Sequence, residues 1–171
     1  NTDLANVLGN LVSRTVSMVN KYNDGIVINK NVCEDVDSSL KSDVETSTLK
    51  TIKCMEEYHV ADAVDSLFDI FRRANKYIDE TMPWALAKDE DKKDRLNTVL
   101  YNLIETITIG ASLLCAFLPK TSEDILKALN TEIRKYDDIQ KFGLYKSGNK
   151  ICEKIDILFQ RKDIKEINGE S

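Results

Sequence analysis

The chain has 171 residues, 42% hydrophobic and 31% charged, with six Gly and two Pro. That balance fits one soluble globular domain and excludes a low-complexity or disordered chain, while so few breakers favour long helices over a many-turned β fold. The net charge of −5 counts against a non-specific nucleic-acid binder, because phosphate affinity comes mainly from clustered Lys and Arg, yet a small patch can still read exposed bases by stacking and edge hydrogen bonds while a distant basic patch or another domain takes the phosphates.

In chain order, Leu4, Leu8, Leu11, Thr15, Met18 and Tyr22 repeat at helical spacing and predict a first helix ending at Asn23-Asp24-Gly25. Residues to about Leu40 read as a loop with partial order, anchored by Cys33 and Val36. A second helix is expected from Ser42 to about Tyr58, although Thr46, Thr48 and Thr51 are β-branched and weaken it. Val60, Ala63, Val64, Leu67, Ile70, Phe71, Ala74, Tyr77 and Ile78 then share one face of a central helix. Pro83 closes that helix, since its ring pushes the preceding residue out of helical angles. Another helix starts near Asp89 to Asp94 and runs to about Phe117, apolar almost all round its middle and hence buried. Pro119 and Thr121-Ser122-Glu123-Asp124 open a short helix ending near Asn130. The expected architecture is all-α, an antiparallel helical bundle over about 1–130 with an irregular tail over about 131–171 that wraps it and includes a strand near Ile151 to Phe159.

The cysteines Cys33, Cys54, Cys115 and Cys152 stand too far apart for zinc or redox pairs and read as reduced thiols. Neither a leader nor an apolar stretch long enough to span a bilayer is visible, so a cytoplasmic protein with no membrane partner is expected. The first residue is Asn1 and a helical pattern is already running there, which suggests a fragment of something longer. His59 is the single histidine, so Ser/His or Cys/His catalysis has thin support. Phosphate-cradling Gly motifs are missing. Glu56 and His59 have the Glu-x-x-His spacing of a di-iron bundle, but no second histidine exists to complete such a site, and no metal is expected.

Asn6, Asn10 and Arg14 are four residues apart and line one face of the first helix, with no carboxylate in the row to pair with Arg14. They form either a solvated polar face or a face that presents an Arg fork to a ligand. Trp84, the only tryptophan, directly follows Pro83. It is either packed between helices or held at the surface, where its ring could stack on a base.

Two stretches, Leu8-Gly9-Asn10-Leu11-Val12-Ser13-Arg14 and Ala74-Asn75-Lys76-Tyr77-Ile78-Asp79-Glu80-Thr81-Met82-Pro83-Trp84-Ala85-Leu86-Ala87-Lys88, resemble the C-terminal half of bacterial methionyl-tRNA synthetases. The likeness continues through Leu100-Tyr101-Asn102-Leu103, Phe117-Leu118-Pro119-Lys120-Thr121 and Leu158-Phe159-Gln160-Arg161. It implies the helical anticodon-binding domain of the class I synthetases, which in this family reads the CAU anticodon of methionine tRNA. The anticodon-binding residues it implies are Asn10, Arg14, Pro83 and Trp84. The anticodon cytosine would lie on Trp84, Arg14 and Asn10 would read its edge, and Pro83 would fix the angle of the ring. Two departures lie in the tail, where relatives have Trp-Gly-Leu against Phe142-Gly143-Leu144, and Pro against Gln160. The family's His-Ile-Gly-His-like and Lys-Met-Ser-Lys-Ser-like catalytic signatures are absent, so the resemblance implies no catalytic centre or cofactor in this fragment, with ATP and methionine used by the catalytic domain of a longer parent chain. The competing expectation is a helical interaction or scaffold domain without tRNA specificity.

Overall fold

A computed structural model describes residues 2–155. Helix α1 (Thr2–Asn23) leads into a two-residue strand β1 (Ile26–Val27), then helices α2 (Asp35–Glu56), α3 (Val60–Thr81), the short α4 (Pro83–Leu86), α5 (Lys93–Leu114) and α6 (Pro119–Ala128), and a second two-residue strand β2 (Asn149–Lys150). A single 3-10 turn, Glu90–Lys92, precedes α5. The all-α bundle expected from periodicity holds, with α2 and α3 the most closely packed pair and α5 touching α1, α2, α3, α4 and α6. One continuous core contains the predicted apolar face of α3, including Leu67, Ile70, Phe71, Ala74, Tyr77 and Ile78.

Several boundaries differ from the sequence reading. Helix α2 begins seven residues before Ser42, at Asp35, because a reciprocal cap between Glu34 and Asp37 starts it and Leu40 enters the core. Its threonines do not break it: Thr48 and Thr51 face the core, and the Thr51 hydroxyl donates to the Ser47 carbonyl at 2.7 Å. Burial thus offsets the propensity cost. Cys33 is exposed and anchors nothing; Val27 is the buried apolar side chain of that link, and β1 pairs antiparallel with β2, Ile26 opposite Lys150 and Val27 opposite Asn149. The strand expected near Ile151 to Phe159 therefore lies just before that range, and Ile151 to Ile155 are not strand. Its last residues, the Leu158-Phe159-Gln160-Arg161 stretch and the Gln160 departure lie outside the described residues. Helix α5 stops at Leu114, three residues short of Phe117.

Pro83 does more than end α3. Met82 takes the left-handed conformation (φ 47°, ψ 66°) while its N–H still bonds to the Ile78 carbonyl at 2.9 Å. Because Met82 leaves the right-handed region, Pro83 can start α4 at a position that needs no N–H.

Two buried polar clusters lock the bundle. In the first, the Asp37 carboxylate accepts two bonds from Arg95 (2.6 and 3.0 Å) and one from the Tyr77 hydroxyl (2.5 Å), and Asn102 donates to that hydroxyl at 3.1 Å. Arg95 also donates to the Val32 carbonyl at 2.7 Å, which fastens the α1–α2 link to α5. In the second, the fully buried Glu105 of α5 accepts from the Arg134 guanidinium and from the backbone N–H groups of Gly143, Leu144 and Tyr145.

Helices α3 and α5 approach closely at Gly110, where an added Cβ would lie 2.4 Å from Cε1 of Phe71. Phe71 is fully buried and packed edge-on against Phe68, centroids 5.3 Å apart, so it has nowhere to move. Gly110→Ala should therefore cost about 1–3 kcal/mol by overpacking. At Gly9 an added Cβ meets nothing within 4 Å, so Gly9→Ala in α1 should gain about 0.5–1 kcal/mol. Urea unfolding of the two variants should move the midpoints in opposite directions.

Candidate nucleic-acid interface

The first-helix residues predicted from four-residue spacing do face outward. Asn6, Asn10 and Arg14 are exposed on α1, above the buried Leu8, Leu11 and Val12 that seat the helix on the core. Asn10 and Arg14 line an open groove of about 530 Å³ together with Asn6, Val7 and Asn75. Asn75 comes from α3 and its amide reaches the Val7 carbonyl at 3.4 Å.

The missing carboxylate for Arg14 also comes from α3. Asp79 approaches the guanidinium at 4.0 Å, with the two side chains 44% and 74% exposed. A contact that long and that wet contributes little, so the Arg14 fork remains free to bond a ligand. The two contacts run in the same sense along the helices, Val7 beside Asn75 and Arg14 near Asp79. The polar face of α1 thus meets α3 in its last two turns, just before the chain reaches Met82, Pro83 and Trp84.

Trp84 is 41% exposed, which settles its placement at the surface rather than fully between helices. It sits in the first turn of α4, five residues beyond Asp79 and outside the lining of the Asn10–Arg14 groove. Pro83 is buried, so it sets the direction of the turn and offers no contact surface itself. The structure therefore brings Asn10 and Arg14 into one groove, adds Asn75 to it, sets Asp79 near Arg14, and carries Trp84 on the next element of the chain. Asn75 and Asp79 both lie in the stretch singled out from the sequence, but only the packing of α3 on α1 shows their position.

The chemistry on offer is recognition. Amide groups supply both donors and an acceptor, the guanidinium supplies a planar fork of donors, and an exposed indole supplies a stacking face. No group of three or more His, Cys, Asp or Glu with metal-holding geometry occurs among the described residues. Glu56 ends α2 and His59 stands in the link before α3, so the Glu-x-x-His spacing does not fall on one helical face. All four cysteines are unpaired. No helix among the described residues is long and apolar enough to cross a membrane.

Comparison with known proteins identifies the family of the fold. The family described as the anticodon binding domain of methionyl tRNA ligase matches residues 29–166. Methionine–tRNA ligase of Clostridium tetani is 49% identical over 164 residues, covering 96% of this chain and 25% of the relative, and that of Bacillus subtilis is 41% identical over 170 residues, covering 97% and 25%. The chain thus spans about a quarter of the length of the curated relatives it matches. Among solved structures, apo methionyl-tRNA synthetase of Mycobacterium tuberculosis superposes with a TM-score of 0.82 at 29% identity over 91% of this chain and 32% of that one. The form bound by methionyl-adenylate gives 0.79. A family match running from the α1–α2 link past β2, over a bundle that superposes on solved synthetases, means that the chain belongs to the anticodon-binding domain family of the methionyl-tRNA ligases.

Proposed function

We propose that this domain reads the CAU anticodon of methionine tRNA for an ATP-dependent methionine–tRNA ligase that works in the cytoplasm and whose catalytic domain lies elsewhere in the same chain. Activation of methionine with ATP belongs to that catalytic domain; the present residues select and orient the tRNA. The observation that carries this reading is the groove of Asn10, Arg14 and Asn75 beside a helix end that delivers a half-exposed Trp84.

In this reading the anticodon loop unstacks and its cytosine lies on the Trp84 indole. Arg14 donates to the ring nitrogen and carbonyl oxygen of the base, which are acceptors in cytosine, while uracil presents an N–H at the same ring position and meets a donor with a donor. The amide of Asn10 can both accept from and donate to the remaining edge. Pro83 and the left-handed Met82 set the backbone direction from which the indole projects, which limits the freedom lost when it takes a base.

The test is binding of a labelled CAU anticodon stem-loop, against a matched loop with the cytosine replaced by uracil. Trp84→Ala should weaken the CAU loop by about 1–3 kcal/mol, with helicity unchanged because the side chain is not part of the core. Arg14→Ala should cost a comparable amount and abolish the preference for cytosine. Equal binding of the two loops by the unmodified chain would leave a helical interaction domain without anticodon specificity.

A further inference from the structure

Arg14 lines a second groove besides the one it shares with Asn10. This one, of about 770 Å³, runs along α1 from Ser13 and Arg14 through Ser17 to Lys21, with Glu153 and Lys154 on its other side. That opposite wall belongs to a segment remote in sequence, and two fixed bonds hold it in place. The Asn20 amide donates to the Cys152 carbonyl at 2.9 Å, and the Ile151 N–H donates to the Gly25 carbonyl at 2.8 Å.

We infer that this second groove is a track for the RNA phosphodiester backbone flanking the base read at Asn10 and Arg14, with Lys21 and Lys154 as its phosphate contacts. The inference rests on the anticodon reading above and extends it from base to backbone. Charge favours it: three cations, Arg14, Lys21 and Lys154, face one carboxylate, Glu153, in a chain whose net charge is −5. Lys21 and Lys154 are exposed, and neither forms an ion pair among the described residues. Geometry favours it too. Asn10, Arg14, Ser17 and Lys21 follow at spacings of four, three and four residues, so they share one face of α1 over a run of about 16 Å at 1.5 Å per residue. The Ser17 hydroxyl supplies a neutral donor to phosphate between Arg14 and Lys21. A strand entering at the Asn10–Arg14 groove therefore leaves over Ser17 toward Lys21, with the polar row of α1 on one side and Val16 and Ile155 also lining the groove.

Phosphate contacts and base contacts differ in what they change, and the experiment uses that difference. Binding of the CAU stem-loop and of its uracil-substituted partner is titrated across a range of salt with the unmodified chain, Lys21→Ala, Lys154→Ala, the double variant and Glu153→Gln. Each lysine removed should weaken both loops by the same factor, leave their ratio unchanged, and make the slope of log K against log salt shallower by about 0.7–0.9. Glu153→Gln, which removes the one acid facing the strand, should tighten both loops equally. A salt slope unchanged in the double variant would overturn the track, as would the absence of binding by either loop at the lowest salt, where phosphate contacts are strongest. Failure of the anticodon reading looks different: the unmodified chain would bind both loops equally while the slope still fell on lysine removal.

Discussion

Asp37→Ala is expected to remove about 3–5 kcal/mol of stability, a large part of the roughly 5–15 kcal/mol that holds an ordinary domain together. The cause is what the substitution leaves behind. Asp37 is 1% exposed and Arg95 6%, and the guanidinium, the Tyr77 hydroxyl and the Glu34 N–H all point at the one carboxylate. Without it the buried cation keeps only the exposed Glu34 carboxylate, 3.5 Å away, as counter-charge, and the α1–α2 link, held to the same guanidinium through the Val32 carbonyl, loses part of its anchor. Replacing both members, as in Asp37→Leu with Arg95→Met, should cost less than the sum of the two single changes, because an apolar pair leaves neither charge stranded. Urea unfolding of the two single variants and the double closes that cycle, and strict additivity would show that the pair does not act as a unit.

The same residue sets a pH dependence. Burial pushes the Asp37 carboxyl up, but the bonds from Arg95 and Tyr77 outweigh it and hold the group below its ordinary value of 3.8. A carboxyl depressed in the folded state stabilises it fully above the unfolded value, and that contribution is lost as pH falls through the folded value. The stability gap between the unmodified chain and Asp37→Asn should therefore be constant around neutral pH and narrow only below 3.8. A gap already narrowing well above that value would assign the dependence to other groups.

What could be read from the sequence was whatever depends on periodicity within one element. The α3 stripe from Ala63 to Ile78, the buried middle of α5 and the outward row of Asn6, Asn10 and Arg14 all follow from three- and four-residue spacing, and the structure has each of them, whereas Val60, expected to open that stripe, is exposed at the first position of the helix. The rest depends on partners far away in the chain. Asp37 looks like a surface acid until Arg95 and Tyr77 surround it, which is why the start of α2 was not visible. The Asp79 partner of Arg14 and the Asn75 wall of its groove lie on another helix, out of reach of any rule about neighbours within one helix. Two-residue strands carry no alternation to detect, so β1 and β2 gave no signal. Pro83 announced a break, but the short helix it opens depends on Met82 accepting a left-handed conformation, for which methionine carries no marker.

Glu105 is an acid in the middle of α5, where the helix is buried on every side. Glu105→Ala should destabilise the chain by about 3–5 kcal/mol and, unlike Asp37→Ala, should do so by releasing a defined segment. Its carboxylate is the common acceptor for Arg134 and for the backbone N–H groups of Gly143, Leu144 and Tyr145, so its loss strands a largely buried guanidinium and several N–H donors at once. Glu105→Gln keeps the shape but turns one acceptor oxygen into a donor facing donors, and should recover only part of the loss. Two hydroxyl bonds also hold the segment, from Tyr101 to the Tyr145 carbonyl at 2.7 Å and from Tyr145 to the Leu129 carbonyl at 2.6 Å. These predict a graded result: amide exchange in Glu105→Ala should speed up first at 134 and 143–145, then at β2 and its partner β1, while the α3–α5 contact around Gly110 and Phe71 stays protected. Because β2 leads directly into the Cys152–Lys154 wall beside α1, the same variant should weaken stem-loop binding at low salt without changing the preference for cytosine. Uniform acceleration across all helices would instead make Glu105 a contributor to the whole bundle rather than the latch of one segment.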